Sequence, residues 1–304
     1  MLTNRGLYNI SGSDCYINSA LQLLFNIAPL CRALINVSTK NPAARQLSRI
    51  MAMMEVTTVR QDIYADAIGH VRDHVQRLSK TTGQGDSGEC LLALFDIIEK
   101  AGISLECLAT TLHHSCICPH CSSVSQLGTP KKFTMVHAGT HNSVFEILMT
   151  TVSEDVNVNV PGGTHVHGFE KDTQHTHVQC PNGHLIYADH QHTHVQCWAV
   201  SPDEKTTHIV IYTGLLTTDA AGQRIKRKRA IFPDSQLNIG GLYQLVGYIM
   251  HIGATQSGHY VWRQFQDNMC TRGNEYSDSS VGIFQEDGAK NFAHILLYSR
   301  NYTQ

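Results

Sequence analysis

Gly12-Ser13-Asp14-Cys15-Tyr16-Ile17-Asn18-Ser19-Ala20-Leu21-Gln22-Leu23-Leu24-Phe25 is the stretch on which the reading of the fold turns. Ile17, Ala20, Leu21, Leu24, Phe25 and Ala28 recur at helical spacing, which predicts a helix over 16–30 with one apolar face. Ser13 and Asp14 are residue types that cap helix starts, so Cys15 falls at or just before the first turn. A thiol in that place faces the positive end of the helix dipole, which favours the thiolate. Asp14 opposes the thiolate by repulsion unless it points away as a cap.

Downstream, residues 58–78 carry Tyr64, Ile68, Val71, Val75 and Leu78 on one helical stripe, broken by Gly83-Gln84-Gly85. A third helix opens with Asp86 and Glu89 as a capping box, is lined by Leu91, Leu92, Phe95 and Ile98, and is closed by Gly102. The glycines at 83, 85 and 88 fit a dinucleotide-binding spacing. They follow a helix rather than a strand, so the context that motif needs is missing. After Leu112 the texture changes to Thr, Val, His and Gly, and strands and turns are expected. Helices first and sheet later is an α+β order. The heptapeptides starting at Gln174 and Gln191 are identical and read as two strands of one hairpin joined through Pro181-Asn182-Gly183. Arg224 to Arg229 is a basic cluster that fits a solvated turn, with a nuclear-import or acidic-partner patch as the other reading.

The chain has 304 residues, 42% of them hydrophobic, enough for a large core without covalent staples. Lys and Arg total 23 against 25 Asp and Glu, a net charge of −2, which excludes a nucleic-acid or membrane footprint over the whole molecule. No apolar run is long enough to span a bilayer, and MLTNRGLYN lacks the basic head and apolar stretch of a signal peptide. Ten cysteines are too sparse for a disulfide scaffold, so reduced thiols used in catalysis or metal binding are expected.

A cysteine nucleophile needs a base and the base an orienting acceptor. His259, in Ser257-Gly258-His259-Tyr260-Val261, stands at a glycine-led entry into a strand. Asp278, in Tyr276-Ser277-Asp278-Ser279-Ser280-Val281, follows a hairpin's length later. The order of these segments brings a resemblance into view. Gly6-Leu7-Tyr8-Asn9 with Cys15-Tyr16-Ile17-Asn18-Ser19-Ala20-Leu21-Gln22 resembles the cysteine box of the ubiquitin-specific proteases. Tyr243 to His251 followed by Gly258-His259-Tyr260 is similar to their histidine box. Tyr276 to Val281 and Ala293 to Arg300 are similar to their closing segment, Gln84 to Leu91 to a fourth block, and Thr207 to Tyr212 to the strand before their central turn.

The resemblance implies an α+β fold with a papain-like cysteine protease core and three subdomains: a helical thumb over 1–112, fingers over 113–208 and a palm over 209–304. It implies hydrolysis of the isopeptide or peptide bond after the C-terminal glycine of ubiquitin. Cys15 becomes the nucleophile, His259 the general base, and Ser277 or Asp278 the orienter, the family position itself falling on Ser277. Asn9 is the implied oxyanion donor, though it lies six residues before Cys15 where the family has five. Gln84, Asp86, Glu89, His251 and Tyr260 are the implied substrate-binding residues, with Asp86 and Glu89 meeting the basic tail of ubiquitin. Ubiquitin and ubiquitinated proteins are the implied partners, with a monomer acting in cytoplasm or nucleus and no nucleic acid or membrane.

Fourteen of the 19 histidines lie between His113 and His208. Within this span Cys118-Pro119-His120-Cys121 has zinc-knuckle spacing, and Cys180 with His184 reads as a second knuckle. The resemblance makes such a zinc structural, held by Cys118, Cys121, Cys180 and His184, with Cys116 and Cys197 as spare ligands. Two other functions stay open on sequence alone: a weak or inactive ubiquitin-binding module, suggested by the displaced Asn9 and by Ser277, and a histidine-rich metal-dependent hydrolase.

Overall fold

The helix expected over 16–30 is two helices in the computed structural model: α1 (Cys15–Phe25) and α2 (Ala28–Ile35). Pro29 sits in the first turn of α2. It has no N–H to give, and within a continuous helix its ring would strike the carbonyl of Phe25, so the chain restarts there. The structure describes residues 6–56, 59–79, 85–117, 121–126, 131–137, 151–152, 177–179, 182–183, 185–187, 195–214, 216–218, 224–226, 230–254 and 258–300. Next comes α3 (Pro42–Glu55), absent from the sequence reading although Asn41-Pro42 is a good start signal. The Asn41 side chain accepts from the Ala44 amide at 3.2 Å. α4 (Gln61–Ser79) and α5 (Ser87–Lys100) follow close to their expected places. Just past α5, Gly102 takes φ +81°, a left-handed value that glycine adopts without steric cost.

Beyond two short 3-10 turns, Glu106–Leu108 and Ala289–Phe292, the rest of the described chain is strand and loop. In order the strands are β1 (Thr110–Ile117), β2 (Val124–Gln126), β3 (Lys131–Phe133), β4 (Val136–His137), β5 (Thr151–Val152), β6 (His177–Gln179), β7 (Leu185–Tyr187), β8 (Val195–Pro202), β9 (His208–Tyr212), β10 (Leu216–Thr218), β11 (Arg224–Lys226), β12 (Gln236–Asn238), β13 (Leu242–Ile252), β14 (His259–Phe265), β15 (Arg272–Ser277), β16 (Ser280–Gln285) and β17 (Ala293–Ser299). One sheet is built on the long antiparallel pair β1–β8. The larger sheet runs β16-β15-β14-β13-β17-β9-β4, with β12 added on β13. Among the described residues the two identical heptapeptides do not pair with each other. The first supplies β6, which turns back onto β7, and the second leads into β8, which pairs with β1. The strand that pairs with β6 beyond Asn182-Gly183 is thus Leu185–Tyr187.

The large sheet is apolar on both faces. Val210, Ile249, Trp262 and Ile295 pack with the helices, while Ile209, Tyr248, Phe265 and Leu296 join a second core with Ile231 and Leu237. This burial on both sides is why β9, β13 and β17 read as near-continuous apolar runs. α1 lies against β14 and α5 and is buried on every side, not along one stripe. Its polar residues are consequently paired inside: Asn18 with Tyr64, Tyr8 and Asp278, and Ser19 with the Tyr16 carbonyl.

Candidate active site

Cys15 opens α1 and is 3% exposed. Asp14 occupies the cap position, but its side chain makes no cap hydrogen bond. Its carboxylate is held instead by the Arg72 guanidinium, at 2.7 and 2.8 Å, and by the Ser11 amide and hydroxyl. The cap expected of Asp14 is thus replaced by a buried ion pair, because Arg72 offers a planar two-pronged donor that a helix terminus does not. Gly12, at φ +76°, lets residues 11–14 turn tightly enough for Ser11 to reach back.

Asn9 is anchored at both ends of its amide. Its Oδ1 accepts from the Asp14 N–H at 2.9 Å, and its Nδ2 donates to Asp278 Oδ2 at 3.1 Å. The extra residue before Cys15 is absorbed in the 11–14 turn, and Asn9 is brought back towards the helix start. Asp278 takes a left-handed φ of +50° in the turn between β15 and β16. There its second oxygen accepts from Asn18 Nδ2 at 2.7 Å.

His259 is the first residue of β14, the strand that packs against α1. Its Nε2 is 2.9 Å from Ser277 Oγ and 3.8 Å from Asp278 Oδ2. Ser277 is therefore the direct hydrogen-bond partner of the imidazole, while Asp278 lies at ion-pair distance with its oxygens bonded to two asparagines.

Of the expected substrate-binding residues, Gln84 lies outside the described residues. Asp86 is 5% exposed and caps α5 through the Gly88 and Glu89 amides, at 2.7 and 3.2 Å. His294 Nε2 stands 3.0 Å from its other oxygen. Burial acts to raise the Asp86 pKa, but the His294 charge and the two amides outweigh it and hold the carboxyl at about 2. The structure shows Asp86 as the cap of α5, its carboxylate already met by the two amides and His294. Glu89 keeps a partly exposed position. His251 and Tyr260 are also buried, their rings 4.6 Å apart, with Tyr260 passing on to His294 at 5.6 Å. A Cβ on Gly258 would fall 2.1 Å from His251 Nε2, so glycine is required where the chain approaches His259. Burial, reinforced by the charge on Lys226, holds the His251 pKa down at about 4.

Cys121 lies 3.0 Å from the Ser123 hydroxyl, whereas Cys118, Cys180 and His184 lie outside the described residues. Among the described residues no group of three or more His, Cys, Asp or Glu side chains is placed to hold a metal ion. Sequence reasoning passed over three contributors to the site. Asn18 carried a signal, as an amide inside an apolar helix. Arg72 and His294 carried none, because nothing local marks which partner a lone Arg or His will meet.

Residues 5–298 match the family model described as ubiquitin carboxyl-terminal hydrolase. No curated protein sequence matches the chain. Among solved structures it is similar to the SAGA DUB module containing Ubp8 bound to monoubiquitin, with 17% identity, a TM-score of 0.65, and coverage of 100% of this chain and 71% of that one. A second, the SAGA Ubp8 DUB module bound to ubiquitin aldehyde, gives 15%, 0.69, 100% and 71%. A third, the yeast SAGA DUB module with an Sgf73 variant, gives 16%, 0.66, 100% and 70%. At these identities the likeness shows the papain-like α+β fold.

The buried histidines give a pH signature. His208 shares the depression seen at His251, its pKa held at about 4 chiefly by burial. Both are neutral in the fold and charge on unfolding below the ordinary histidine value, so unfolding takes up protons. Stability is expected to be full above pH 6.5 and to fall as pH drops towards 4, by about 1.4 kcal/mol per pH unit for each histidine. Urea unfolding at pH 7.5, 6.0 and 5.0 measures the slope, and a flat profile would contradict the two neutral imidazoles.

Proposed function

We propose the following chemistry for a chain that belongs to the ubiquitin carboxyl-terminal hydrolase family. The protein is a cysteine-type deubiquitinase, hydrolysing the isopeptide or peptide bond after the C-terminal glycine of ubiquitin. Cys15 Sγ is the nucleophile. His259 donates its Nε2 proton to Ser277 Oγ, which leaves Nδ1 as the nitrogen that takes the thiol proton. The thiolate attacks the glycine carbonyl, and Asn9, held by Asp278 and the Asp14 amide, offers its side-chain N–H to the developing oxyanion. One such donor is worth about 3–4 kcal/mol in the transition state. His259 then protonates the leaving lysine amine, and a water deprotonated by His259 hydrolyses the thioester. Asp278 contributes its charge at 3.8 Å and the placing of Asn9 and Asn18, while the direct hold on the imidazole belongs to Ser277.

The observation that carries this reading is the His259–Ser277 contact at the end of the strand packed on the helix that Cys15 opens. The same contact favours the second reading, a weakly active ubiquitin-binding module, because a hydroxyl stabilises imidazolium less than a carboxylate does. Ubiquitin is the partner, as it is in the solved neighbours. A monomer in cytoplasm or nucleus belongs to the same proposal, although those neighbours are multi-protein modules. So does a structural zinc on Cys118, Cys121, Cys180 and His184, which rests on sequence spacing alone and takes no part in the chemistry. Zinc content of the purified chain, expected at one atom per molecule, decides that part.

A ubiquitin carrying a C-terminal electrophile is expected to form one adduct, on Cys15, and Cys15→Ala is expected to abolish both the adduct and turnover of a fluorogenic ubiquitin substrate. Adduct formation without turnover would favour the weak binding module, and a folded chain inert in both assays would refute the deubiquitinase reading. Ser277→Ala should lower kcat/KM by about ten- to a hundredfold at unchanged melting temperature, through loss of imidazole orientation. Asp278→Ala should cost more activity and also stability, about 1–3 kcal/mol, since the buried Asn18 amide and the half-buried Asn9 amide lose their acceptor. Full activity in both variants would show the orienter to be misassigned.

A further inference from the structure

Arg72 has no place in the chemistry above, yet it reaches the residue beside the nucleophile. It comes from the middle of α4, and its Nε and Nη2 meet Asp14 Oδ1 and Oδ2 at 2.7 and 2.8 Å. Ser11 supplies one further donor to each oxygen, its hydroxyl to Oδ1 at 2.7 Å and its amide to Oδ2 at 2.9 Å. The Asp14 side chain is 1% exposed and that of Arg72 21%. The backbone N–H of the same Asp14 holds Asn9 Oδ1. One buried carboxylate thus stands a single peptide bond from Cys15, with a guanidinium as its only ionic partner among the described contacts.

We propose that Arg72 is a positioning residue for the reaction: it cancels the Asp14 charge beside Cys15 so that the thiolate can form, and its grip fixes the 9–14 turn that presents Asn9. The proposal rests on the deubiquitinase reading, in which Cys15 is the nucleophile. A buried like charge disfavours a second negative charge nearby, and a guanidinium stays protonated at any working pH while matching a carboxylate two bonds at a time. The opposition of the two charges is already felt at neighbouring phenols. At Tyr16, next to Cys15, and at Tyr64, where burial is the largest influence, Asp14 discourages ionisation and Arg72 favours it. Other ionisable groups on the elements packed against α1 include Tyr64 on α4, Asp86, Glu89 and Cys90 on α5, Cys31 and Arg32 on α2, His251 on β13, His259 and Tyr260 on β14, and Tyr276 and Asp278 at the end of β15. All of them are shared by every variant below, so a change in profile reports the Arg72–Asp14 pair.

The experiment follows iodoacetamide alkylation of Cys15 against pH in the full chain, read at the Cys15 peptide by mass spectrometry, with circular dichroism to confirm folding. Arg72→Gln is expected to slow alkylation at pH 7 about tenfold and to move the midpoint of the profile upward. Arg72→Lys, which keeps the charge, is expected to stay within about threefold of the parent. Adding Asp14→Asn to Arg72→Gln is expected to restore the rate to within about twofold, since no charge is left unmatched. An unchanged profile in Arg72→Gln overturns the proposal, as does a double variant no faster than the single one. If Arg72→Gln does not fold, Asp14→Asn alone decides: Arg72 is then unopposed, and alkylation at pH 6 should rise by about twofold or more. An equal or slower rate overturns it. Turnover of the fluorogenic ubiquitin substrate is measured separately. Failure there with the alkylation pattern intact would refute the deubiquitinase reading and leave the charge pairing standing.

Discussion

Two amide side chains from the first eighteen residues donate to one carboxylate near residue 280. Asn9 and Asn18 reach the two oxygens of Asp278, at 3.1 and 2.7 Å, and the Leu7 N–H reaches the Asp278 carbonyl at 2.8 Å. Gly6 lies so close to the same turn that a Cβ there would fall 2.4 Å from the Ser279 carbonyl oxygen. The helix that Cys15 opens and the hairpin that carries Ser277 are in this way joined across almost the full length of the chain. A hydrogen bond to a charged acceptor contributes about 1.5–3 kcal/mol, and burial makes its loss dearer still. This junction ties the segment that leads into Cys15 to the turn that faces His259.

The same carboxylate explains the division of labour at the imidazole. An aspartate already bonded to two asparagines is not free to move up against His259, and it remains 3.8 Å away. The shorter Ser277 side chain, at the end of β15, makes the contact. A hydroxyl can hold an imidazole in one orientation and one tautomer but adds no charge of its own. The charge comes from the residue beside it. In the proposed chemistry, orientation and field are thereby separated between two neighbouring positions.

Charges around the helix start follow a similar logic. Asp14 is met by Arg72, and Asp86 by His294 and two amides, so the two buried acids closest to Cys15 and to the start of α5 each have opposite charge or N–H donors turned toward them. Burying a carboxylate without such partners would favour its neutral form. His251 on β13 and Tyr260 on β14, their rings 4.6 Å apart, continue the arrangement, burial holding the imidazole neutral.

What the sequence determined by itself was local and periodic. The α1 pattern, the Asp86 cap, Gly102 after α5, and the apolar runs that became β9, β13 and β17 depend on neighbours within a few residues, and those are written in order along the chain. The candidates Cys15, His259, Ser277, Asp278 and Asn9 were equally legible, as residue types in recognisable settings. The break at Pro29 and the start at Asn41-Pro42 were legible too, though passed over. Only the tertiary structure decided which group meets which. That Asp278 serves Asn9 and Asn18, that Ser277 rather than Asp278 touches the imidazole, that Asp86 turns inward to His294, and that the two identical heptapeptides pair with different strands all depend on contacts across tens to hundreds of residues. A short polar side chain has many possible partners of equal chemistry, and the packing of α1 between sheet and helices selects one.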